Sequence, residues 1–164
     1  MSTRGLKTIL LLTMFCIVVA GCGQKIIKPP FPHPGARGPY GGGQVAEQEL
    51  QAFQAGLKPI YFDYDQYTLS PQAQADLQYN ADLLRRVPQV GLVAEGHCDE
   101  RGTAEYNLAL GDRRARSSVE YLTALGVDPR RFSIVSYGSE LPVDPGHNDA
   151  AWSVNRRVYL RVAR

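Results

Sequence analysis

Long apolar runs are missing from this 164-residue sequence except near its N-terminus. The run found there, residues 9–20, is shorter than the roughly 20 residues that a membrane-spanning helix needs. It follows the basic residues Arg4 and Lys7 and precedes small residues, which is typical of a secretory signal peptide. We therefore predict that residues 1–21 are a signal peptide and that the chain is exported.

Cysteine is also scarce, with three residues in the whole chain. Cys16 lies in the predicted signal peptide, and residues 19–22, Val-Ala-Gly-Cys, resemble the lipobox of bacterial lipoproteins. In a lipobox the cysteine, here Cys22, is lipidated and becomes the first mature residue, because a thiolate attacks where a hydroxyl would not. A plain signal peptide cleaved after Gly21 is the alternative. Cys98 is then the only remaining thiol, which excludes an internal disulfide framework.

An excess of charge is missing from the predicted mature chain. The signal peptide contains two basic residues and no acidic ones, so its removal leaves sixteen basic residues against sixteen acidic residues. Binding to nucleic acid needs a persistent basic surface. The charge balance therefore disfavours a nucleic-acid partner.

Composition divides the mature chain into two parts. Residues 24–43 are rich in proline and glycine and contain few residues that can build a core, which is typical of an extended, mobile tether. The pattern of residues 45–55 allows a short helix. We predict that residues 22–55 comprise the lipidated cysteine and a flexible linker, and that residues 56–164 form one folded domain.

The domain sequence predicts alternating strands and helices. Strands are expected at residues 60–62, 90–97, 132–137 and 157–163. One helix is expected from Ser70 to Arg86, and a second carries Ala115, Val119 and Leu122 and ends at Gly126. Residues 138–151 form a turn-rich connection. This order predicts a small α/β sandwich, with a mixed sheet of about four strands and two main helices on one face, and it leaves the strand order open.

Five short motifs occur in order in the domain. They are Glu-Gly-His-Cys-Asp-Glu-Arg-Gly-Thr at 95–103, Glu-Tyr-Asn at 105–107, Arg-Arg-Ala at 113–115, Ile-Val-Ser-Tyr-Gly at 134–138 and Asn-Arg-Arg at 155–157. Together they resemble the outer-membrane protein A-like family of peptidoglycan-binding domains. The resemblance implies a domain without catalysis or cofactors that holds the diaminopimelate side chain of uncrosslinked stem peptides. It also implies that Asp99 and Arg114 hold this ligand.

The chemistry of these two residues suits the implied ligand. The far end of diaminopimelate carries an ammonium and a carboxylate, so Asp99 can accept hydrogen bonds from the first and Arg114 can donate to the second. Lysine lacks the far carboxylate and would leave Arg114 unpaired, which costs a few kcal/mol when the charge is partly buried. We therefore expect lysine-containing peptides to be rejected.

The spacing of Asp99 and Arg114 carries a geometric expectation. In one straight helix starting just after the Asp99 loop, Arg114 would lie about 16 Å from the helix start, at roughly 1.5 Å per residue. That is too far to share one head group easily. We therefore expect a break between Asn107 and Asp112, with Gly111 as the N-cap of a new segment whose free amide groups also attract a carboxylate.

Five further residues are candidates for secondary contacts with the ligand: Asn107, Gly102, Tyr67, Thr68 and Arg156. The amide of Asn107 can brace the expected break or simply cap a helix. Gly102 is expected to serve backbone conformation. Tyr67 and Thr68 match by position a second binding loop of the family, in which relatives often carry an acid in place of Thr68. Arg156 either lines the site or forms a structural salt bridge.

Two catalytic or metal-binding alternatives use the same segment. His97, Cys98 and Asp99 are the parts of a thiol hydrolase, but neighbours in an extended segment point to opposite faces and cannot readily share a proton. A zinc site from these residues and His147 lacks the usual spacing between ligands. We therefore predict a protein that is not an enzyme and holds no metal.

A protein-only envelope adaptor is the remaining alternative. The resemblance implies partners beyond peptidoglycan, namely the periplasmic β-propeller protein of the Tol system and other outer-membrane proteins. Gly23, next to the lipid cysteine, lacks the Asp that often retains lipoproteins in the inner membrane. The expected location is therefore the periplasmic face of the outer membrane, with the lipid as anchor and the domain linking membrane to wall.

Overall fold

The computed structural model describes residues 47–163. The predicted signal peptide, Cys22 and most of the predicted linker lie outside these residues. The described chain runs through α1 (Glu47–Gly56), β1 (Ile60–Tyr61), α2 (Pro71–Arg86), β2 (Leu92–His97), α3 (Ala104–Ala124), a 3₁₀ helix (Pro129–Arg131), β3 (Phe132–Gly138), α4 (Asp149–Asn155) and β4 (Arg157–Val162). None of the helices in this range is both long and apolar enough to cross a membrane.

The four strands form one mixed sheet in the order β1-β4-β2-β3. β2 and β3 run parallel and are joined through α3, whereas β4 lies antiparallel to both β1 and β2. The register places Ala94 between Leu160 on β4 and Ile134 on β3. The predicted α/β fold with a mixed sheet is confirmed, and the last strand proves to be an interior one.

The core lies between α2, α3 and one face of this sheet. Ser70 caps α2 by accepting a hydrogen bond from the amide of Ala73 at 3.1 Å, and Pro71 occupies the first helical position, as predicted. The predicted stripe of α2 is buried, together with apolar side chains from α3 and the sheet: Ala73, Leu77, Ala81, Leu84, Val119, Leu122, Leu92, Ala94, Val158 and Leu160. Burying such an aliphatic side chain contributes about 2 kcal/mol relative to leaving it exposed.

Helix α1 lies within the segment predicted as linker, where the sequence allowed a short helix. Its Gln54 donates from Nε2 to the Leu160 carbonyl at 2.9 Å and accepts at Oε1 from the Val162 amide at 2.7 Å. β1 pairs with β4 only at Arg157 and Val158. The side-chain amide of Gln54 therefore provides hydrogen-bond partners for backbone groups of β4 beyond the end of β1. Packing therefore begins before residue 56.

The connection predicted to be turn-rich contains an additional helix, α4. Asn148 caps it by accepting from the Ala151 amide at 3.0 Å, and Asp149 lies in its first turn. With 7 residues the helix is too short to show an apolar period in the sequence. It delivers Trp152 and, directly after its end, Arg156 to the region described below.

The expected break in the second long helix is wrong, because α3 runs unbroken from Ala104 to Ala124. Gly111 is not an N-cap but the point where α3 crosses β2. A Cβ atom on Gly96 would lie 1.9 Å from the Gly111 carbonyl oxygen, so only two glycines permit this approach. Asp112 forms an i,i+4 ion pair with Arg116 at 2.6 Å instead of starting a new segment.

Candidate functional site

A pocket of about 190 Å³ opens where β2 ends. Its walls come from the loop after β1, the turn between β2 and α3, the first three turns of α3, and Arg156 between α4 and β4. Asp99 and Arg114, the two residues predicted to hold the ligand, both line it. The secondary candidates Asn107, Gly102 and Arg156 line it as well.

Asp99 supplies a buried carboxylate, with 3% of the residue exposed. Its Oδ1 accepts from the backbone amide and Nε of Arg101 at 3.1 and 3.2 Å. Its Oδ2 accepts from Arg101 Nη2 at 2.7 Å and from Arg156 Nη1 at 3.2 Å. Burial raises the pKa of this carboxyl, but the donors outweigh it and hold the pKa below the ordinary value, so Asp99 is ionised at neutral pH.

Arg114 is the most deeply buried charge at the pocket, with 1% of the residue exposed. It donates from Nε to the Gln66 carbonyl at 2.7 Å, from Nη2 to the Asp63 carbonyl at 3.1 Å and from Nη1 to the His97 carbonyl at 2.9 Å. Burial lowers the pKa of its guanidinium below the ordinary value. Arg114 thus joins the loop after β1 to the end of β2.

Arg114 and Asp99 meet at one pocket without a helix break for two reasons. Side chains on a helix point toward its N-terminus, so the fork of Arg114 reaches back along α3. The turn that carries Asp99 also folds back beside the helix, because Asn107 donates to the carbonyls of Asp99 and Arg101 at 3.3 and 3.2 Å. The distance along the helix axis is therefore larger than the actual separation of the Asp99 and Arg114 side chains.

The secondary candidates have separate roles. Asn107 braces the turn rather than a helix break, and it is 2% exposed. Gly102 has a φ of 108°, a conformation that favours glycine, so its expected backbone role is confirmed. Tyr67 and Thr68 are exposed and are not among the residues that line the pocket; Tyr64 and Asp65 of the same loop line it instead.

Arg156 and Arg101 complete the cationic side of the pocket. Arg156 donates from Nε to the Phe62 carbonyl at 3.0 Å as well as to Asp99, so it is both a lining residue and a structural bridge. Arg101 was not a candidate from the sequence. Its guanidinium lies over the rings of Tyr64 and Trp152, at 4.0 and 4.2 Å from their centroids.

The charges that line the pocket favour a ligand that carries both a negative and a positive group. The guanidinium groups of Arg101, Arg114 and Arg156 face the carboxylates of Asp65 and Asp99, which leaves an excess of one positive charge. The carboxylate of a ligand can pair with these guanidinium groups, and an ammonium on the same ligand can pair with Asp99. Within residues 47–163, no group of three or more His, Cys, Asp or Glu side chains is placed to hold a metal ion.

The thiol and the imidazole of the motif lie in different surroundings. Cys98 donates from Sγ to the Asn107 carbonyl at 3.3 Å, and burial raises the pKa of this thiol. His97 stacks on the Tyr137 ring at 5.5 Å, and burial beside Arg157 lowers its pKa to about 4. His147 contacts Glu100 through Nδ1 at 2.7 Å. This arrangement does not place a base beside the thiol.

The chain is similar to known proteins over most of its length. Residues 61–156 match the model of the OmpA family. A peptidoglycan-associated lipoprotein of Pseudomonas aeruginosa is 44% identical over 125 residues, covering 74% of each chain, and one of Pasteurella multocida is 36% identical, covering 96% of this chain and 98% of the relative. The crystal structure of the peptidoglycan-associated lipoprotein from Burkholderia pseudomallei is 45% identical, with a TM-score of 0.61, and the match covers 64% of this chain and 89% of that one. The chain therefore belongs to the OmpA family.

Proposed function

We propose that the pocket binds the diaminopimelate side chain of uncrosslinked peptidoglycan stem peptides. The observation that carries the proposal is the meeting of Asp99 and Arg114 in one pocket, which thus offers a carboxylate and a guanidinium to one ligand. Asp99 accepts hydrogen bonds from the ammonium of the ligand, and the guanidinium groups attract its carboxylate. Relatives that are named peptidoglycan-associated lipoproteins support the same ligand class.

The ligand is held without covalent chemistry or a cofactor. A hydrolase needs an activated nucleophile, whereas the Cys98 thiol donates to a helix carbonyl and its pKa is raised. The pocket instead recognises two opposite charges on one head group. The protein is a binding module rather than an enzyme.

Lipid on Cys22 anchors the protein at the periplasmic face of the outer membrane, and the pocket grips the wall, so the chain links the two. The support for the anchor is the lipobox-like sequence at residues 19–22 and the names of the relatives. By the same resemblance, its protein partners are the periplasmic β-propeller protein of the Tol system and other outer-membrane proteins. Lipid attachment is tested by mass spectrometry of membrane-extracted protein, with Cys22→Ser as the variant that loses it.

Co-sedimentation of the mature protein with purified peptidoglycan sacculi tests wall binding. Asp99→Asn keeps the shape of the side chain and removes the charge that holds the ammonium, so we expect at least a tenfold loss of affinity, the scale of one charged hydrogen bond. Asp76→Asn is the matched control, because Asp76 is a largely buried acid that is likewise paired with a cation, Lys58 at 2.9 Å, and it lies outside the pocket. Undiminished retention of the Asp99 variant would contradict the proposal and favour the protein-only adaptor.

A further inference from the structure

The acid that we assign to the ligand's ammonium is already bound by a cation of the same chain. Arg101 approaches Asp99 in a two-pronged arrangement, with Nη2 at 2.7 Å from Oδ2 and Nε at 3.2 Å from Oδ1. This fork-to-carboxylate geometry is among the strongest pairings available to side chains. A ligand ammonium must therefore compete with Arg101 for both oxygens.

Arg101 is held in this position by its neighbours. Its guanidinium lies over the rings of Tyr64 and Trp152, and Trp152 is itself fixed by donating from Nε1 to Glu100 at 2.9 Å. The side chain nevertheless keeps 32% of its surface exposed. The guanidinium is thus preorganised over Asp99 and still accessible from the pocket mouth.

Arg114 is poorly suited to bind a ligand carboxylate through two parallel hydrogen bonds. Its Nε, Nη1 and Nη2 each donate to a backbone carbonyl, and a bidentate bond to a ligand would break some of these bonds. The guanidinium hydrogen bonds of Arg101 go to Asp99, so they are released when an ammonium takes that carboxylate. Arg101 is then free to donate to the carboxylate that the ligand brings.

On the basis of the proposed function, we propose that Arg101 determines specificity by exchanging partners. In the free protein the guanidinium of Arg101 is paired with Asp99. On binding, this guanidinium moves from Asp99 to the far carboxylate of diaminopimelate, and the ligand's ammonium replaces it on Asp99. The single Arg101–Asp99 pair is then replaced by two ion pairs, and Arg101 keeps a charged partner only with a ligand that carries both charges. A lysine side chain brings an ammonium alone, so it must open the Arg101 pair and offers no replacement partner.

The single tryptophan of the chain reports on this exchange. Trp152 contacts the guanidinium that moves, so its fluorescence should change when a diaminopimelate tripeptide binds to the full mature protein in detergent. The lysine tripeptide of the same length is the comparison ligand, and isothermal titration measures both affinities. Arg113→Gln is the matched control, because Arg113 is an exposed arginine near the pocket that lies over Tyr67 and does not contact Asp99.

Arg101→Gln should have opposite effects on the two ligands. Affinity for the diaminopimelate peptide should fall about tenfold, because its carboxylate loses a charged partner, and affinity for the lysine peptide should rise, because Asp99 is no longer closed. The fluorescence change should disappear. Arg101→Lys, which keeps the charge without the fork, should fall between wild type and Arg101→Gln for both peptides.

An equal loss of affinity for both peptides in Arg101→Gln, or none for either, would overturn the exchange. A wild-type fluorescence signal that persists in Arg101→Gln would also overturn it. Failure of the wild-type protein to bind the diaminopimelate peptide at all would instead contradict the proposed function, so the two failures are distinguishable.

Discussion

Two buried arginines lie beyond opposite ends of β2 and use the same chemistry. Arg114, 1% exposed, donates to the carbonyls of Asp63, Gln66 and His97. Arg131, 6% exposed, donates through its Nε and both Nη atoms to three backbone carbonyls near the end of α2, those of Leu84, Val87 and Val90. Both arginines are therefore buried, and both donate to three backbone carbonyls.

The difference lies in where the acceptors come from. The acceptors of Arg131 belong to one continuous stretch, so this arginine completes the end of a helix whose last carbonyls lack partners within it. The acceptors of Arg114 belong to two separate segments, and these segments form walls of the pocket. In this domain the buried arginine that points to a binding site is the one that joins two separate segments beside a cavity.

The largest expected effect is a loss of stability on replacing Gly96, which we compare with replacing Gly91 at the opposite end of β2. Gly96→Ala should destabilise the domain by about 5 kcal/mol or prevent folding, because its new Cβ would meet the Gly111 carbonyl oxygen at 1.9 Å and backbone cannot move aside cheaply. Gly91→Ala is the control, since its Cβ would lie 3.6 Å from the nearest atom, an ordinary contact. Urea unfolding of both variants measures the difference, and similar stabilities would refute the tight crossing of α3 over β2.

Replacing the two arginines tests the comparison directly. Arg114→Met and Arg131→Met should each lower the free energy of unfolding by about 4 kcal/mol, because each variant removes three hydrogen bonds from a buried guanidinium to backbone carbonyls. Only Arg114→Met should lose wall binding, measured by co-sedimentation with sacculi at a temperature where both variants remain folded. Equal loss of wall binding in the two variants would show that Arg114 acts through stability alone.

Acid pH should lower the free energy of unfolding of the domain through His97, which lies at the end of β2 beside the pocket. The folded-state pKa of about 4 lies below the ordinary value of 6.5, so the unfolded chain binds a proton first as pH falls. The stability contribution is present above pH 6.5 and is lost between pH 6.5 and 4, amounting to about 3 kcal/mol at 1.36 kcal/mol per pKa unit.

His97→Phe isolates this contribution. Within the described residues neither ring nitrogen of His97 has a hydrogen-bond partner, and Phe can keep the stacking on Tyr137. Unfolding in urea at pH 7.5 and 4.5 should show a smaller loss of stability in the variant than in wild type. The same loss in both proteins would mean that other groups carry the acid sensitivity.

Much of the fold was predictable because local chemistry and tertiary packing agree there. Ser70 and Pro71 start α2, a stripe from Ala73 to Leu84 is buried, and alternate residues of β4 enter the core, all as the sequence indicates. Helix α4 escaped prediction because its seven residues depend on the Asn148 cap and on packing rather than on a periodic pattern. Strand order depends on contacts distant in sequence, which no local pattern contains.

The site was predictable as a pair of residues but not as a geometry. Motif resemblance and charge chemistry selected Asp99 and Arg114, and the structure brings them to one pocket. Their meeting was expected to need a helix break because the fold-back of the turn onto Asn107 and the direction of the Arg114 side chain are invisible in the spacing. Arg101 was missed because Trp152, which holds it, arrives from a helix about fifty residues later.

The bonds between Gln54 and β4 have a mechanical consequence. In the proposed tether, tension from the lipid anchor enters the domain at α1 and passes through Gln54 into the last strand at Leu160 and Val162. The residue just before that strand is Arg156, which holds Asp99 in the pocket. Under the proposed function, a single strand in the interior of the sheet would connect the end of the domain that faces the anchor with the pocket, and the neighbouring strands on both sides would share the load.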